Sequence, residues 1–406
     1  MANPDFLDVL GEEMGRVYAD CTDRLLVNLA RHFRFLKPGE EPGGAFQYQA
    51  RKLAEMGQVT RESVAIIRGM LGDVDPELAD SLEAAILDAL EDIEPQLRQA
   101  AAAGLLGAEM PAELSPRMTG AFETYYRQSA DKLNLVNTTM LQSTEEAYRG
   151  MVADITAKMQ RAQQIVNTAT GEVVTGVEDF NTVLKEAAQK LVNEGIPGFV
   201  DSAGRNWQPE TYVAMDMRTT FHNVSRAAFW ERNEKYGNDL FLVSQHPGAR
   251  PLCYPWQCKV ISRTGPHTET TDGNGDTVTV WALDETTYGE PAGLFGINCG
   301  HHPELFIPGA TKIQPVRQNE EQNAKQYAES QQQRKLEREF RKARLDTDVA
   351  KAQGDEEGLA KSKAKLKDAD EKLSKFERDT GRRRRREREY APARRTAWGR
   401  SEDNGM

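Results

Sequence analysis

Two runs decide the fold: SQHPGARPLCYPWQCK (residues 244–259) and YGEPAGLFGINCGHHP (residues 288–303), the second followed by FIPG (residues 306–309). Three of the four cysteines and four of the six histidines lie between residues 244 and 309. Glycine and proline are dense there, so the backbone is expected to run as turns and short extended pieces. Almost everything before and after reads as helix. The expected fold class is therefore α+β, with a mainly α-helical N-terminal region (residues 1–194) and a small turn-rich α+β module carrying a β-hairpin (residues 195–310). A charged helical arm (residues 311–381), as a helical hairpin or coiled coil, and a basic disordered tail (residues 382–406) complete it.

Inside the module, DLFLVS (residues 239–244) is a short apolar run between turn signals and predicts a buried strand. The run DGNGD (residues 272–276) lacks the lysine and helix of a phosphate-cradling loop. It also lacks the bidentate glutamate and flanking helices of a calcium loop. Asn274-Gly275 between Thr-rich and Val-rich runs instead predicts a hairpin turn joining strands at 268–271 and 277–281.

Cys253, Cys299, His301 and His246, with Cys258 as a further candidate, offer soft and borderline ligands for a structural Zn²⁺. The spacing is not that of a standard zinc finger. Buried thiols that merely pack, or a Cys253–Cys299 disulfide, are the alternatives. An enzymatic reading would use Cys299 with His246 as nucleophile and base, as in a cysteine hydrolase, or a nucleotide-using transferase grafted on the same module. Nothing in the spacing makes those residues converge, so the chain is read as a non-enzyme without a certain cofactor.

Outward from the module, apolar residues recur at helical spacing over residues 6–35, 48–56, 61–70, 75–100, 115–155 and 177–194. Asp75-Pro76 and Ser115-Pro116 are helix starts, and Lys37-Pro38-Gly39 is a stop. A further helix opens at Pro209-Glu210. In the arm, Leu359, Leu366 and Leu373 repeat every seven residues, and Gly354 and Gly358 are expected interruptions. Arg382, Arg383, Arg384, Arg385, Arg386 and Arg388 form a basic run able to hold phosphates without reading sequence.

The 406 residues carry a net charge of −11, which argues against a protein basic over its whole surface. No apolar segment approaches the ~20 residues of a membrane span, and the N-terminus has no secretory pattern. Assembly in a cytoplasm with reduced thiols is expected.

The run from Gly195 through Trp207, then Tyr212, Met215 and Arg218-Thr219-Thr220, followed in order by the two runs above, resembles the phage minor capsid protein 2 family of tailed bacteriophages. More distantly the module is similar to the head-morphogenesis domain of Mu-like phages. The resemblance draws attention to Arg218, Thr219, Arg250, Trp256, Gln257, Lys259, Tyr288, Gly289 and Asn298 as motif residues. It implies a minor head protein inside the virion near the portal, with a part in head assembly, DNA packaging or ejection. The implied partners are the portal protein, other capsid or scaffolding proteins and packaged double-stranded DNA, with no membrane. One departure is plain: where the family usually has Trp-Gln-Gly-Lys, this chain has Cys258 in place of the glycine. A zinc-stabilised nucleic-acid-binding module is the remaining alternative.

Overall fold

The structure, a computed structural model, describes residues 4–72, 74–107, 116–169, 177–200 and 206–389. The expected turn at Thr170-Gly171, the motif residues 201–205 and the arginines at 394, 395 and 400 lie outside them.

The helices are α1 (Pro4–His32), α2 (Ala45–Ala54), α3 (Met56–Leu71), α4 (Val74–Ala102), α5 (Pro116–Ala169), α6 (Val177–Glu194), α7 (Pro209–Lys235), α8 (Glu320–Gln353) and α9 (Glu356–Thr380). The predicted α+β class holds, since a small mixed sheet sits among these helices. None of the described helices is long and apolar enough to cross a membrane.

The main core is built around α1. Its residues Leu7, Met14, Tyr18, Cys21, Leu25 and Leu29 follow one another at steps of seven, four or three residues, on one helix face, and are at most 1% exposed. Helix α7 lies along α1, and α3 and α8 pack on α1 as well. The close approach of α1 and α7 rests on Gly11 and Gly15. A Cβ on Gly11 would lie 2.8 Å from the Arg218 backbone nitrogen, and one on Gly15 would lie 2.6 Å from Ala214 Cβ.

Facing α7 and α8 from α1 is the half-buried carboxyl of Asp23, pushed up to about 7 by burial. Glu210 and Asp20 add to the rise, while Arg344 and Arg341 oppose it. A carboxyl raised on folding stabilises fully below its unfolded value and loses that share as pH climbs from about 4 towards 7. Glu94 behaves oppositely. Hydrogen bonds from Arg232, against the pull of burial, lower it to about 2, so its share is lost as pH falls from about 4.5 towards 2. Melting curves are therefore expected to show a maximum near pH 5, with Asp23→Asn flattening the decline between about pH 5 and 7. An identical alkaline decline in the variant would exclude Asp23 as its source.

Strands β1 (Phe199–Val200) and β2 (Asn206–Trp207) pair as a small antiparallel ladder. The main sheet comprises β3 (Leu240–Val243), β4 (Val260–Ser262), β5 (Thr268–Thr271), β6 (Thr277–Ala282) and β7 (Pro303–Leu305), in the order β5-β6-β4-β3-β7. Only β4 and β6 run parallel, with Val260 opposite Val280. Phe241, Val243, Ile261 and Leu305 face a cluster with Ile93, Leu97, Phe229 and Tyr236 of α4 and the α7 end. Leu242, Val260, Val280 and Phe306 fill the other face.

The structure differs from the sequence expectation at four places. Strands β4 and β7, three residues each, were not foreseen, because three residues carry too little alternation to stand out among turns. The hairpin forms at the expected strands, but its turn is organised by Asp272 and not by Asn274-Gly275 alone. The Asp272 carboxylate accepts from the backbone N–H groups of Asn274 and Asp276 at 2.8 and 3.0 Å. Gly358 does not interrupt α9: it lies in the first turn, where its N–H donates to the Asp355 cap at 2.8 Å. Helices α8 and α9 form the hairpin alternative, turned at Gly354 with φ of 76° and sealed by Leu336, Phe340, Ala369 and Leu373.

The fourth difference is the basic tail. Gly381, at φ of 69°, ends α9, and residues 382–389 fold back on the helices. Arg384, only 4% exposed, donates to Glu389 at 2.5 and 2.6 Å and to Asp370 at 2.6 Å, and lies over the Phe340 ring. Arg388 pairs with Glu12 of α1 and lies 3.6 Å from Glu337. Arg382 donates to Gln333 at 3.2 Å. A run of arginines looks like a solvated tail until the carboxylates that receive it are placed, and those come from α1, α8 and α9 and from Glu389 at the end of the run itself.

Candidate functional site: a buried cysteine–histidine cluster

The two motif runs meet in space. Ser244 N–H donates to the His302 carbonyl at 3.1 Å, and the His302 N–H donates back to Ser244 Oγ at 3.0 Å. The residues that follow β3 and those that precede β7 therefore share one end of the sheet.

Cys253 sits at the start of a single 3₁₀ turn, residues 254–256, whose Pro255 presets the backbone. Cys299 and His301 lie on the loop entering β7. Cys253 Sγ is 3.7 Å from Cys299 Sγ, and Cys299 Sγ is 3.4 Å from His301 Nδ1. Their exposures are 0%, 3% and 1%, so the cluster is closed to solvent. The His246 ring stands 4.3 Å from that of His301 but outside the tight group of three. His246 Nδ1 is 3.2 Å from the Pro247 carbonyl, while the Nε2 atoms of His246 and His301 are buried without hydrogen-bond partners among the described residues. Burial, reinforced by His301, lowers His246 to about 4, which keeps its imidazole neutral near pH 7. The hydrogen bond from the Cys253 thiol, helped by His301 against the effect of burial, draws Cys299 well below the ordinary thiol range.

Backbone approaches as close as side chains hold the cluster. A Cβ on Gly293 would fall 1.9 Å from the Thr287 carbonyl oxygen, so only glycine fits there. Arg250 ties the two runs together, donating to the carbonyls of Ile297 at 2.7 Å and Gly293 at 3.1 Å while its other contact lies 3.7 Å from Cys253 Sγ. Gln257, 3% exposed, accepts from the His246 N–H at 2.9 Å. Trp256 meets Trp281 edge-on at 5.8 Å. Tyr288 meets Trp230 edge-on at 6.0 Å, and Gly289 takes φ of 91°. Lys259 is exposed; its backbone, not its side chain, joins the sheet end by accepting from Val243 N–H at 3.0 Å.

Arg218 and Thr219 pin α7 to the same loop. Arg218 donates to Asn298 Oδ1 at 2.9 Å and pairs with Asp8 and Glu12 of α1 at 3.0 and 3.1 Å. Thr219 Oγ1 accepts from the Asn298 N–H at 3.5 Å. Asn298 itself has φ of 56°. These contacts join α7 and α1 to the loop that carries Cys299. The acids on α1 that complete them, Asp8 and Glu12, were not singled out by sequence reading, because their partner lies about 200 residues away. Helix-face charge in α1 was the one available signal.

Cys258 stands apart from the cluster. It is half-buried, lines a cavity of about 440 Å³ between α4, α7 and the sheet, and takes φ of 58°. That conformation favours glycine. Cys258→Gly is expected to raise stability by about 1 kcal/mol, read from denaturant midpoints. No gain would mean that the lost cavity contacts offset the relieved strain.

Of the six arginines expected to meet nucleic acid, Arg384 and Arg388 are held by internal carboxylates as described above, Arg382 is half-buried on Gln333, and Arg385 lies 3.7 Å from Glu12 with its side chain 48% exposed. Arg383 and Arg386 are exposed.

The family described as phage minor capsid protein 2 matches residues 2–377. A protein described as a structural protein, from Lactococcus phage LL-H, is 22% identical over 325 residues, covering 79% of this chain and 82% of that one. No solved structure matches.

Proposed function

The chain belongs to the phage minor capsid protein 2 family, and from that premise we propose that it is a structural part of the virion that docks on the portal protein from inside the head. There it contacts capsid or scaffolding proteins and assists head assembly, DNA packaging or ejection. The observation that carries the docking reading is a set of exposed apolar side chains on the tied loops of the module. Leu252, Tyr288 and Ile297 are 41%, 39% and 40% exposed, although the loops beneath them are rigidly cross-linked. Thr287 Oγ1 donates to the Leu252 carbonyl at 2.9 Å, and Arg250 holds the Ile297 carbonyl. Apolar side chains held at a fixed spacing above a rigid base suit a protein partner.

Co-expression with the portal protein tests this. The intact chain is expected to co-purify with it, and Leu252→Glu with Ile297→Glu to weaken capture at least about tenfold, since buried charge at an interface core is costly. Equal capture by the double variant would refute docking through this face.

A DNA contact rests on the exposed arginines at 383 and 386. Charge reversal at both is expected to weaken DNA retention and flatten its logarithmic salt slope by about 2. An unchanged slope would remove this contact. The enzymatic reading is disfavoured because the Cys299 sulfur, 3% exposed and packed on Cys253, has no open approach for a substrate.

A further inference from the structure

We propose that Cys253, Cys299 and His301 hold a structural Zn²⁺ that clamps the two motif runs together. Tetrahedral zinc, with Zn–S bonds of about 2.3 Å and Zn–N bonds of about 2.0–2.1 Å, places two sulfur ligands about 3.8 Å apart and a sulfur and a nitrogen about 3.5 Å apart. The corresponding separations are 3.7 Å for Cys253 Sγ and Cys299 Sγ and 3.4 Å for Cys299 Sγ and His301 Nδ1. Among the described residues this is one group of metal-type side chains whose ligand atoms all fall within 4.8 Å of one another, and every member is buried.

The donor set selects the ion. Two thiolates and a neutral imidazole around a divalent cation make a site without net charge, which a closed interior tolerates far better than an isolated thiolate or an empty polar hole. Thiolate and imidazole together favour zinc over the hard cations, which prefer oxygen. Binding sends the proton shared by the Cys253 and Cys299 sulfurs to solvent and forms two Zn–S bonds and one Zn–N bond, with no oxidant or reductant involved. The surroundings support the ligands. Arg250 sits 3.7 Å from Cys253 Sγ, where its guanidinium can donate to a thiolate. His246 is adjacent and presents a buried Nε2 without a hydrogen-bond partner among the described residues.

The ligands arrive from loops more than forty residues apart in sequence. The hairpin formed by β5 and β6 lies between them, so the ion closes a long loop and stabilises the module by restricting its unfolded chain. This role is independent of portal docking. A protein that never touches a portal could still carry the metal.

The test is metal analysis of the full chain purified under reducing conditions, followed by exchange with Co²⁺. The expected result is one zinc per chain. The Co²⁺ form should show the absorption of a tetrahedral site with thiolate charge-transfer bands. Cys253→Ser and Cys299→Ser should lose both, whereas Cys258→Ser and Cys21→Ser should keep them. Chelator should lower the melting temperature of the wild-type chain, and that of no variant already lacking the metal. The wild-type measurements stand even where a buried-site variant fails to fold. A folded, reduced chain without metal would overturn the proposal. So would metal retained with unchanged cobalt bands in Cys299→Ser, or a thiol count showing Cys253 and Cys299 joined as a disulfide in the freshly reduced and refolded chain.

Discussion

Replacing Arg384 with alanine is expected to destabilise the protein by about 3–5 kcal/mol, the cost typical of stripping one partner from a buried ion pair. Glu389 has 0% side-chain exposure and receives two charge-assisted hydrogen bonds from this guanidinium. Without Arg384 its carboxylate stays buried and loses both of these donors. The effect is a penalty on what remains and not the net worth of the pair. A compensated variant separates the two: Arg384→Met with Glu389→Leu should recover most of the loss, because burial of an apolar pair avoids the desolvation of both charges. Urea unfolding followed by circular dichroism measures both. A loss under about 1 kcal/mol in Arg384→Ala would mean that residues 382–389 contribute as little as an exposed ion pair.

The second large effect concerns helix contact. Gly15→Leu is expected to cost about 3 kcal/mol, the upper end of the usual overpacking range, by forcing α1 away from α7. A single Cβ at Gly15 already meets Ala214 Cβ at 2.6 Å and the Glu210 carbonyl oxygen at 2.8 Å, and neither is the yielding end of a long side chain. Even Gly15→Ala should destabilise. The same alanine substitution at Gly150, in α5, should stabilise by about 1 kcal/mol, because nothing lies within 4 Å of its would-be Cβ and alanine loses less backbone entropy in a helix. Opposite signs for one chemical change at two helical glycines is the result to look for. Equal signs would show that helix propensity, and not the α1–α7 contact, governs Gly15.

Most helices were legible because their causes are local. Pro209 at the start of α7, Gly381 after α9 and the apolar stripe of α1 each act within a turn or two of chain. The hairpin strands at β5 and β6 were legible for the same reason. Strand β7 was not, because its partner β3 lies about sixty residues earlier and its own three residues carry no alternation. The candidate ligands were visible as types, but their convergence was not. Cys253 and Cys299 become neighbours only once Gly293 lets two backbones touch and Arg250 ties the loops.

The basic run at 382–388 marks the boundary most clearly. Its composition is a property of the chain alone, and so are the helix that precedes it and the glycine that ends that helix. Whether its charges meet solvent is settled by Glu12, 376 residues away from Arg388, and by Asp370 on α9, which joins the local partner Glu389 around Arg384. Short-range steric and hydrogen-bonding preferences act between neighbours and can be read in order along the chain. Electrostatic partners are chosen by distance in space, and that distance exists only after the helices have packed.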